Sequence, residues 1–490
     1  MFKSISYLKN NNIVKITNST KKIIKGSAFF AIKGSISNGN DYIENAIKLG
    51  ANIIVSSNKK SLNQIKNNKI IKIYCKDVRD LYSKECSRIN NFPSSRIDIC
   101  GITGTNGKTS IATMLRFIWD KNNSGIIGTI ENSYKKNVSK SSLTTPDTYE
   151  LNKIISKMCE KKIENLFMEV SSHALHQNRV SYIDFDSAIF SNITQDHLDY
   201  HKNMKNYFMA KKKLFSIHLQ DSRKKNKYAF INLDNPYGKK LLIQKKGNIK
   251  YISYSTKENN ADFFLEKVCK KRGYNNLVIR NKNKQYLLDT PMIGSFNFEN
   301  ILACFAYSIT KKKPYQEIYE KIKKFKGAKG RLEHVGNRNL KIFIDYAHTH
   351  DALEKSLKAL RNHYANKKLI LVFGCGGNRD ILKRKKMGRV AEKFSDKIIL
   401  TNDNPRNEEP KKIIKDIING INNINDLATI TNREKAIKYA IKKTNKDSVL
   451  LIAGKGHEDY QEIKGEKIFF SDHEVVKKYI KDKWKFLKNI

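Results

Sequence analysis

A glycine-rich turn at residues 101–110, with the sequence GITGTNGKTS, has the residue types and spacing with the clearest chemistry. It follows the β-branched residues Ile97 and Ile99 and precedes residues 111–119, which have a helical pattern. A strand, such a turn and a helix N-terminus form a phosphate cradle, because backbone N–H groups and the helix dipole face the anion. We therefore predict that ATP or GTP binds at Gly104, Thr105, Asn106, Gly107, Lys108, Thr109 and Ser110.

Within this turn, Lys108 is placed to contact the β- and γ-phosphates, and the Thr109 hydroxyl to bind Mg²⁺. The strict P-loop pattern has glycine five residues before Gly107, where this chain has Ile102, and the earlier glycine is Gly101. The alternative interpretation is a glycine-rich turn with an incidental lysine.

Other segments carry groups that phosphoryl transfer uses. Glu169 follows an apolar run, and a carboxylate at a strand end beside a P-loop is a typical Mg²⁺ ligand. His197 lies in NITQDHLDYH among two aspartates and a second histidine, which favours a ligand or acid–base role over a structural one. Lys211 lies in the helical run YFMAKKKLF, and a charge run of this kind normally indicates a solvated face.

The elements that would position these groups indicate an α/β fold. Apolar runs alternate with helical patterns from residue 97 onward, which favours βαβ units and parallel sheets. In such sheets, ligands bind at the carboxyl ends of the strands. The predicted strands are residues 28–32, 53–56, 166–170, 187–192, 229–233, 341–344, 369–373, 397–400 and 449–452.

Two breaks divide the chain into three predicted domains. Residues 90–96 (NNFPSSR) resemble a linker, and a second break falls near residues 327–331. We expect domains at residues 1–92, 93–330 and 331–490, in keeping with a length of 490 residues.

The net charge of +47 comes from 94 Lys+Arg against 47 Asp+Glu. The lysine excess runs along the whole chain, whereas a binding face would concentrate it, so we interpret it as substitution bias and keep a polyanionic partner as the alternative. Seven cysteines without a CxxC pair fit a reducing cytosol. The N-terminus has no signal-peptide core and no run is long enough to span a bilayer, so we expect a cytoplasmic protein.

Ten short motifs occur in an order that resembles the Mur ligase family, the ATP-dependent amide ligases of peptidoglycan precursor synthesis. Each motif alone is moderately specific, and ten in sequence are very specific. They lie at residues 104–110, 144–147, 168–175, 196–201, 210–215, 294–300, 345–349, 373–377, 403–406 and 453–461.

The resemblance implies an N-terminal UDP-binding domain, a central P-loop domain for ATP and metal, and a C-terminal Rossmann-like domain for the incoming amino acid. It implies ATP, UDP-MurNAc-L-Ala-D-Glu and meso-diaminopimelate as substrates, joined through an acyl phosphate. Mg²⁺ and CO₂, held as a lysine carbamate, would be the cofactors. The resemblance also implies a monomer that acts without a nucleic-acid or membrane partner.

The same resemblance assigns site residues by position. Lys108, Lys211 and His197 would be catalytic, and the metal ligands would be Thr109, Glu169, His197 and carbamylated Lys211. ATP would also contact Asn297, Asn300, Arg331 and Asp345. The UDP-MurNAc-dipeptide would contact Ser19, Ser35, Ile36, Ser37, Thr144, Thr145, Ser171, Gln177 and Arg179. Diaminopimelate would contact Arg379, Asp403, Asn404, Pro405, Arg406, Gly454 and Glu458.

Substrate choice is expected at Arg406, because diaminopimelate has a distal carboxylate that lysine lacks and a guanidinium pairs with it bidentately. Glu458 is expected to pair with the distal ammonium. The alternative is that the DNPR segment is only a turn with an exposed arginine.

Some residues depart from the family pattern: Asn18 and Thr20 around Ser19, and Gln195, His350, Asn378 and Lys385. Three other functions stay open at this point. They are a Mur ligase that adds lysine or another amino acid, a folylpolyglutamate synthetase, and a basic nucleic-acid-binding ATPase.

Overall fold

The computed structural model describes residues 2–10, 13–34, 37–244, 247–271, 274–337, 340–422 and 426–488. Their strands form sheets of four, eleven, six and two strands. Helices connect most neighbouring parallel strands, so the predicted α/β fold class is confirmed. No helix within these ranges is long and apolar enough to cross a membrane.

The N-terminal sheet is fully parallel. Successive residues of a strand point to opposite faces, so Phe29 and Phe30 enter two separate apolar cores. The strands, in spatial order, are Lys15–Thr17, Ser27–Phe30, Ala51–Ser56 and Ile71–Tyr74. The α-helices around them are Ser6–Asn10, Ile43–Lys48, Lys59–Asn63 and Val78–Ile89, with 3₁₀ turns at Thr20–Lys22 and Gly39–Tyr42.

The central sheet is parallel in its middle and antiparallel at both edges. Its strands, in spatial order, are Lys284–Thr290, Tyr274–Asn281, Phe263–Lys271, Ile249–Ser255, Lys227–Asn232, Ser187–Phe190, Asp98–Thr103, Asn165–Glu169, Ser124–Ile127, Glu131–Tyr134 and Asn137–Lys140. Its α-helices are Lys108–Ile118, Thr148–Glu160, Ser172–His176, Leu198–His201, Met204–Lys213, Pro236–Ile243, Ser295–Thr310 and Tyr315–Lys324. A π-helix, Leu214–Leu219, directly continues Met204–Lys213.

The C-terminal sheet has one antiparallel edge strand and is otherwise parallel. Its strands, in spatial order, are Glu333–His334, Lys341–Asp345, Ser448–Ala453, Lys368–Phe373, Lys397–Leu400 and Leu427–Thr429. Its helices are His350–His363, Leu382–Phe394, Pro410–Ile418, Arg433–Lys443 and Asp472–Lys488. A separate hairpin pairs Tyr460–Ile463 with Glu466–Phe469.

The structure refines two local expectations from the sequence. The segment expected to be a linker contains a 3₁₀ turn, Pro93–Arg96, in which Pro93 and Ser94 are buried. Gly101 lies inside the strand Asp98–Thr103, where a Cβ would come 2.8 Å from the Phe185 ring. The absence of a side chain at Gly101 therefore lets the Phe185 ring pack against this strand. The predicted phosphate-binding turn begins after the strand.

A fully buried ion pair joins two helices of the C-terminal region. Arg433 and Asp472 are each 0 % exposed, and Arg433 Nη2 lies 2.7 Å from Asp472 Oδ2. The same guanidinium donates to the carbonyl of Ala453 at 3.0 Å, at the end of a central strand. Arg433 thus connects the start of the helix Asp472–Lys488 to the carboxyl end of this central strand.

We expect Asp472→Ala to destabilise the protein by about 3–5 kcal/mol, because it leaves the Arg433 charge buried and unpaired. Lys478→Met is the matched control, since it removes a solvent-exposed ion pair with Glu434. Denaturant unfolding followed by circular dichroism measures both. Equal midpoints for the two variants would contradict this role of the buried pair.

Candidate active site

The glycine-rich turn brings the chain very close to a neighbouring strand end. A Cβ at Gly104 would come 1.9 Å from Ser191 Oγ, and one at Gly107 would come 2.5 Å from Asn300 Oδ1. Gly107 also has a φ of 88°, in the left-handed region, and the helix Lys108–Ile118 begins directly after it. Only glycine fits both positions, which leaves the N-terminus of that helix open to an anion.

Two lysines converge on one carbonyl of this turn. Lys108 Nζ donates to Gly104 O at 2.8 Å, and Lys211 Nζ donates to the same oxygen at 2.7 Å. Burial lowers the pKa of Lys108, and burial with the nearby Lys108 charge lowers the pKa of Lys211 far below its ordinary value. The prediction that this charge run forms a solvated face is therefore wrong for Lys211, which is 1 % exposed.

Glu169 ends the strand Asn165–Glu169 and is completely buried. Its Oε2 accepts from Thr109 Oγ1 at 2.9 Å and from Thr129 Oγ1 at 3.0 Å. Its Oε1 accepts from the Thr129 backbone N–H at 2.8 Å. Both carboxylate oxygens are thus held beside the glycine-rich turn.

The donor set fits Mg²⁺, which prefers hard oxygen ligands. The Thr109 hydroxyl and the Glu169 carboxylate adjoin each other, and His197 lines the same cavity. Partial burial lowers the pKa of His197, which keeps its imidazole neutral with a lone pair available. Within the described ranges, no three His, Cys, Asp or Glu side chains form a ready cage, so the ion would rely on phosphate oxygens as well.

These groups line a cavity of about 240 Å³ between the central and C-terminal sheets. Gly104 and Asn297 are not part of its lining, and Asn297 is buried with its amide donating to Ile293 O at 2.8 Å. The expected residues that do line it are Thr105, Asn106, Gly107, Lys108, Thr109, Ser110, Thr144, Glu169, His197, Asn300, Arg331 and Asp345.

Arg331 connects the two sheets across this cavity. Its Nη2 donates to Thr109 Oγ1 at 3.2 Å, and its guanidinium lies 4.6 Å from the centre of the Tyr346 ring. Asp345, beside that tyrosine, accepts from the backbone N–H groups of Leu332 and Tyr346, and burial raises its pKa. A nucleotide in the cavity would meet charged groups from both sheets.

A hydrogen-bonded cluster extends from Glu169 along the central sheet. Thr145 Oγ1 donates to Glu169 O at 2.8 Å and accepts from Ser171 N at 3.0 Å. Arg179 Nη1 donates to Thr145 O at 3.0 Å, and its Nε donates to Gln177 Oε1 at 2.9 Å. Four residues that the resemblance assigned to the dipeptide therefore lie together.

Of the residues expected to bind UDP, Ser19 and Ser37 lie in the region of the N-terminal sheet. Ser19 is half-buried and Ser37 is exposed, while Ser35 and Ile36 lie outside the described residues. Arg79 connects this region to the dipeptide cluster, because it donates to Lys33 O at 2.7 Å and to Gln177 O at 3.4 Å.

A second polar cluster, made of Asp403, Asn404, Gly454, Lys455 and Glu458, lies at the carboxyl ends of two C-terminal strands. Asn404 Nδ2 donates to Glu458 Oε2 at 3.0 Å, and the buried Lys455 Nζ donates to Asn404 Oδ1 at 2.9 Å. A Cβ at Gly454 would come 2.6 Å from Asp403 Oδ2, so glycine is required for this approach. Tyr346, which lines the nucleotide cavity, donates to Glu458 Oε1 at 3.4 Å and links the two sites.

Arg406 and Arg379 differ in how firmly they are held. Arg406 has a φ of 51°, donates from Nε to Glu462 Oε2 at 3.0 Å and donates from Nη1 to Gly377 O at 2.8 Å. Arg379 is exposed. Pro405 lies against Gly377, where an added Cβ would come 2.0 Å from Pro405 O.

Family models match three parts of the chain: "Mur ligase family, catalytic domain" at residues 12–88, "Mur ligase middle domain" at 102–308 and "Mur ligase, glutamate ligase domain" at 330–456. A UDP-N-acetylmuramoyl-L-alanyl-D-glutamate–2,6-diaminopimelate ligase of Aquifex aeolicus is 39% identical, covering 97% of this chain and 96% of its own. The chain belongs to the Mur ligase family. The relative of the same name from Fusobacterium nucleatum is 38% identical over 98% of both chains.

Solved structures agree with this membership. A ligase with the same name as these relatives matches this Mur ligase with a TM-score of 0.68 and 28% identity over 99% of both chains. The folylpolyglutamate synthase of Mycobacterium tuberculosis, complexed with ADP, shares the fold with a TM-score of 0.64 at 15% identity. It covers 76% of this chain and 91% of its own.

The sequence did not predict a role for four residues that contact the site: Arg79, Thr129, Tyr346 and Lys455. Each acts through a contact with a residue far away in the chain, and such contacts leave no local pattern. Tyr346 and Lys455 had a visible signal, because each lies inside a recognised motif, and Gly454 and Gly456 also flank Lys455.

We expect Thr129→Val to weaken Mg²⁺-dependent ATP binding about 10- to 100-fold, because the change removes one of the two hydroxyl donors that hold Glu169 Oε2. Titration calorimetry with Mg²⁺ and with a chelator separates this effect from metal-free binding. Thr429→Val, on an exposed strand position, is the control. An unchanged Mg²⁺-dependent affinity in Thr129→Val would show that Glu169 needs no such support.

Proposed function

We propose that this Mur ligase adds meso-diaminopimelate to UDP-MurNAc-L-Ala-D-Glu and converts ATP to ADP and phosphate. The observation that carries the proposal is Tyr346, which lines the nucleotide cavity and contacts Glu458 of the second polar cluster. The two sites therefore adjoin, as a ligase requires for an activated acid and an incoming amine. The near-full-length relatives of the same name support this substrate pair.

In the proposed reaction, the γ-carboxylate of the D-glutamyl residue attacks the ATP γ-phosphorus, and the bond to ADP breaks. An amine of diaminopimelate then attacks the acyl carbon, loses a proton, and phosphate leaves. Lys108 and the open helix N-terminus stabilise charge on the phosphoryl group. Mg²⁺ on Thr109, Glu169 and His197 would neutralise phosphate charge when bound.

The cluster of Thr145, Ser171, Gln177 and Arg179 would hold the dipeptide so that its carboxylate faces the cavity. Ser19 and residues 35–37 would hold the UDP end in the N-terminal domain. We keep the division at residues 1–92, 93–330 and 331–490 as part of this proposal.

Lys211 is proposed to react with CO₂. Its neutral amine, favoured by the lowered pKa, attacks the carbon, a C–N bond forms and a proton leaves. The product is a carboxylate beside Lys108, so a neutral buried amine is replaced by a group whose charge is opposite to that of the Lys108 ammonium. It could then hold a second Mg²⁺.

The selectivity for diaminopimelate is proposed to rest on Arg406, while Glu458 would pair with an ammonium group. Wild-type enzyme should release phosphate with diaminopimelate and not with L-lysine, since lysine has no distal carboxylate to accept from the guanidinium N–H groups that Glu462 and Gly377 leave over. Arg406→Ala should lose this turnover by several orders of magnitude and keep ATP binding. The exposed Arg389→Ala, on a nearby helix, serves as control.

Each outcome of that assay has a distinct meaning. Turnover with lysine would leave the ligase and remove the selectivity argument. Absence of turnover with either amine, combined with hydrolysis stimulated by nucleic acid, would favour the basic ATPase.

We expect Lys211→Met to abolish ligation and the carbamate signal in ¹³C NMR under ¹³CO₂. The wild-type signal should grow as pH rises through the lowered pKa, because only the neutral amine reacts. Lys212→Met, the partly exposed neighbour, should keep both activity and signal. A wild-type enzyme that is active without any carbamate would refute the modification.

A further inference from the structure

Lys455 is a completely buried cation at the centre of the second polar cluster. Its exposed fraction is 0 %, and its Nζ donates to Glu458 Oε2 at 3.0 Å and to Asn404 Oδ1 at 2.9 Å. Asp403 Oδ1 lies 3.7 Å away. A lysine this deeply buried is rare unless it is paired, and here all three partners belong to the cluster.

The lysine determines how the Asn404 side chain is oriented. Asn404 Oδ1 accepts both from Lys455 Nζ and from the Glu462 backbone N–H, at 2.9 and 3.0 Å. An ammonium and an amide N–H can only donate, so the oxygen must face them and the Asn404 NH₂ must face Glu458. The orientation of the Asn404 amide therefore follows from the donor and acceptor roles of its partners.

The same lysine makes the two oxygens of Glu458 unequal. Oε2 accepts from both Lys455 and Asn404 at 3.0 Å, whereas among the described residues Oε1 has a single long hydrogen bond, 3.4 Å from the Tyr346 hydroxyl. Oε1 is thus the oxygen with capacity for another donor. It lies on the side of Tyr346, which lines the nucleotide cavity.

We propose that Lys455 is a positioning residue for binding of the incoming amino acid: it holds Glu458 Oε2 and Asn404 so that Glu458 Oε1 is aimed at an ammonium group of the incoming diamine. The proposal rests on the proposed function, because it assigns that ammonium to diaminopimelate. Lys455 itself does not touch the substrate. It also offsets the charges of Asp403 and Glu458, so that the cluster is not strongly anionic before the diamine enters.

The backbone conformation around Lys455 directs its side chain into the protein. Gly454 and Gly456 have φ values of 109° and 54°, and the Glu458 N–H donates to Lys455 O at 3.0 Å. The chain therefore turns tightly through left-handed conformations that direct one long side chain inward. A lysine needed only for solubility would be directed to solvent.

The test compares Lys455→Met with wild type in the phosphate-release assay. We expect the KM for diaminopimelate to rise about tenfold or more, with the KM for ATP and for the nucleotide sugar unchanged. Lys455→Gln, which keeps a donor but is too short to reach both partners, should show the same rise and provides the readout if the Met variant does not fold. The matched control is Lys397→Met, which removes a lysine–carboxylate pair with Asp426 at the far end of the same sheet.

If Lys455 were merely structural, its replacement would lower the melting temperature and kcat and leave the KM for diaminopimelate unchanged. That result would overturn the proposal. A parallel rise of all three KM values would overturn it as well. If wild type fails to use diaminopimelate, the proposed function fails. If wild type uses it and both Lys455 variants keep its KM, only the positioning role fails.

Discussion

The hydroxyl group of Thr109 is the point on which the active site depends. It donates its single proton to Glu169 and accepts from Arg331, so one oxygen joins the glycine-rich turn, a central strand end and the C-terminal region. A hydroxyl has one donor, and a carboxylate can only accept, so the direction of this chain of hydrogen bonds is fixed. The nucleotide cavity is assembled around it, since the walls come from two separate sheets.

Buried charge has a different role in each half of the molecule. In the central region, Lys108 and Lys211 repel each other beside one carbonyl, which keeps a reactive amine available. In the C-terminal region, Arg433 and Lys455 are each paired with carboxylates, which fixes loop conformations at the strand ends. Desolvation makes both arrangements costly, and only in the second does each cation form a direct ion pair. The electrostatic cost is therefore greater where a chemical change is proposed.

The sequence predicted the features that arise from local chemistry. The glycine-rich turn, Glu169 at a strand end and the alternating α/β pattern each depend on neighbouring residues, and the structure contains all three. The support of Glu169 by Thr129 and the tether of Arg406 to Glu462 depend on pairs 40 and 56 positions apart. Lys211 shows the same limit: its run of charges resembles a surface, and only packing against Gly104 shows that it is buried. The resemblance supplied Lys211, which local physical reasoning did not select.

The π-helix Leu214–Leu219 constrains how this region can change in length. It continues the helix that carries Lys211, and a π-turn contains more residues than an α-turn. The wider turn completes the same rotation with more residues, so it lengthens the path from Lys211 to the buried Leu219 without turning Lys211 away from the Gly104 carbonyl. Leu214, Phe215, His218 and Leu219 are buried in this segment. Its packing therefore depends on the number of residues after Lys211 as well as on their types.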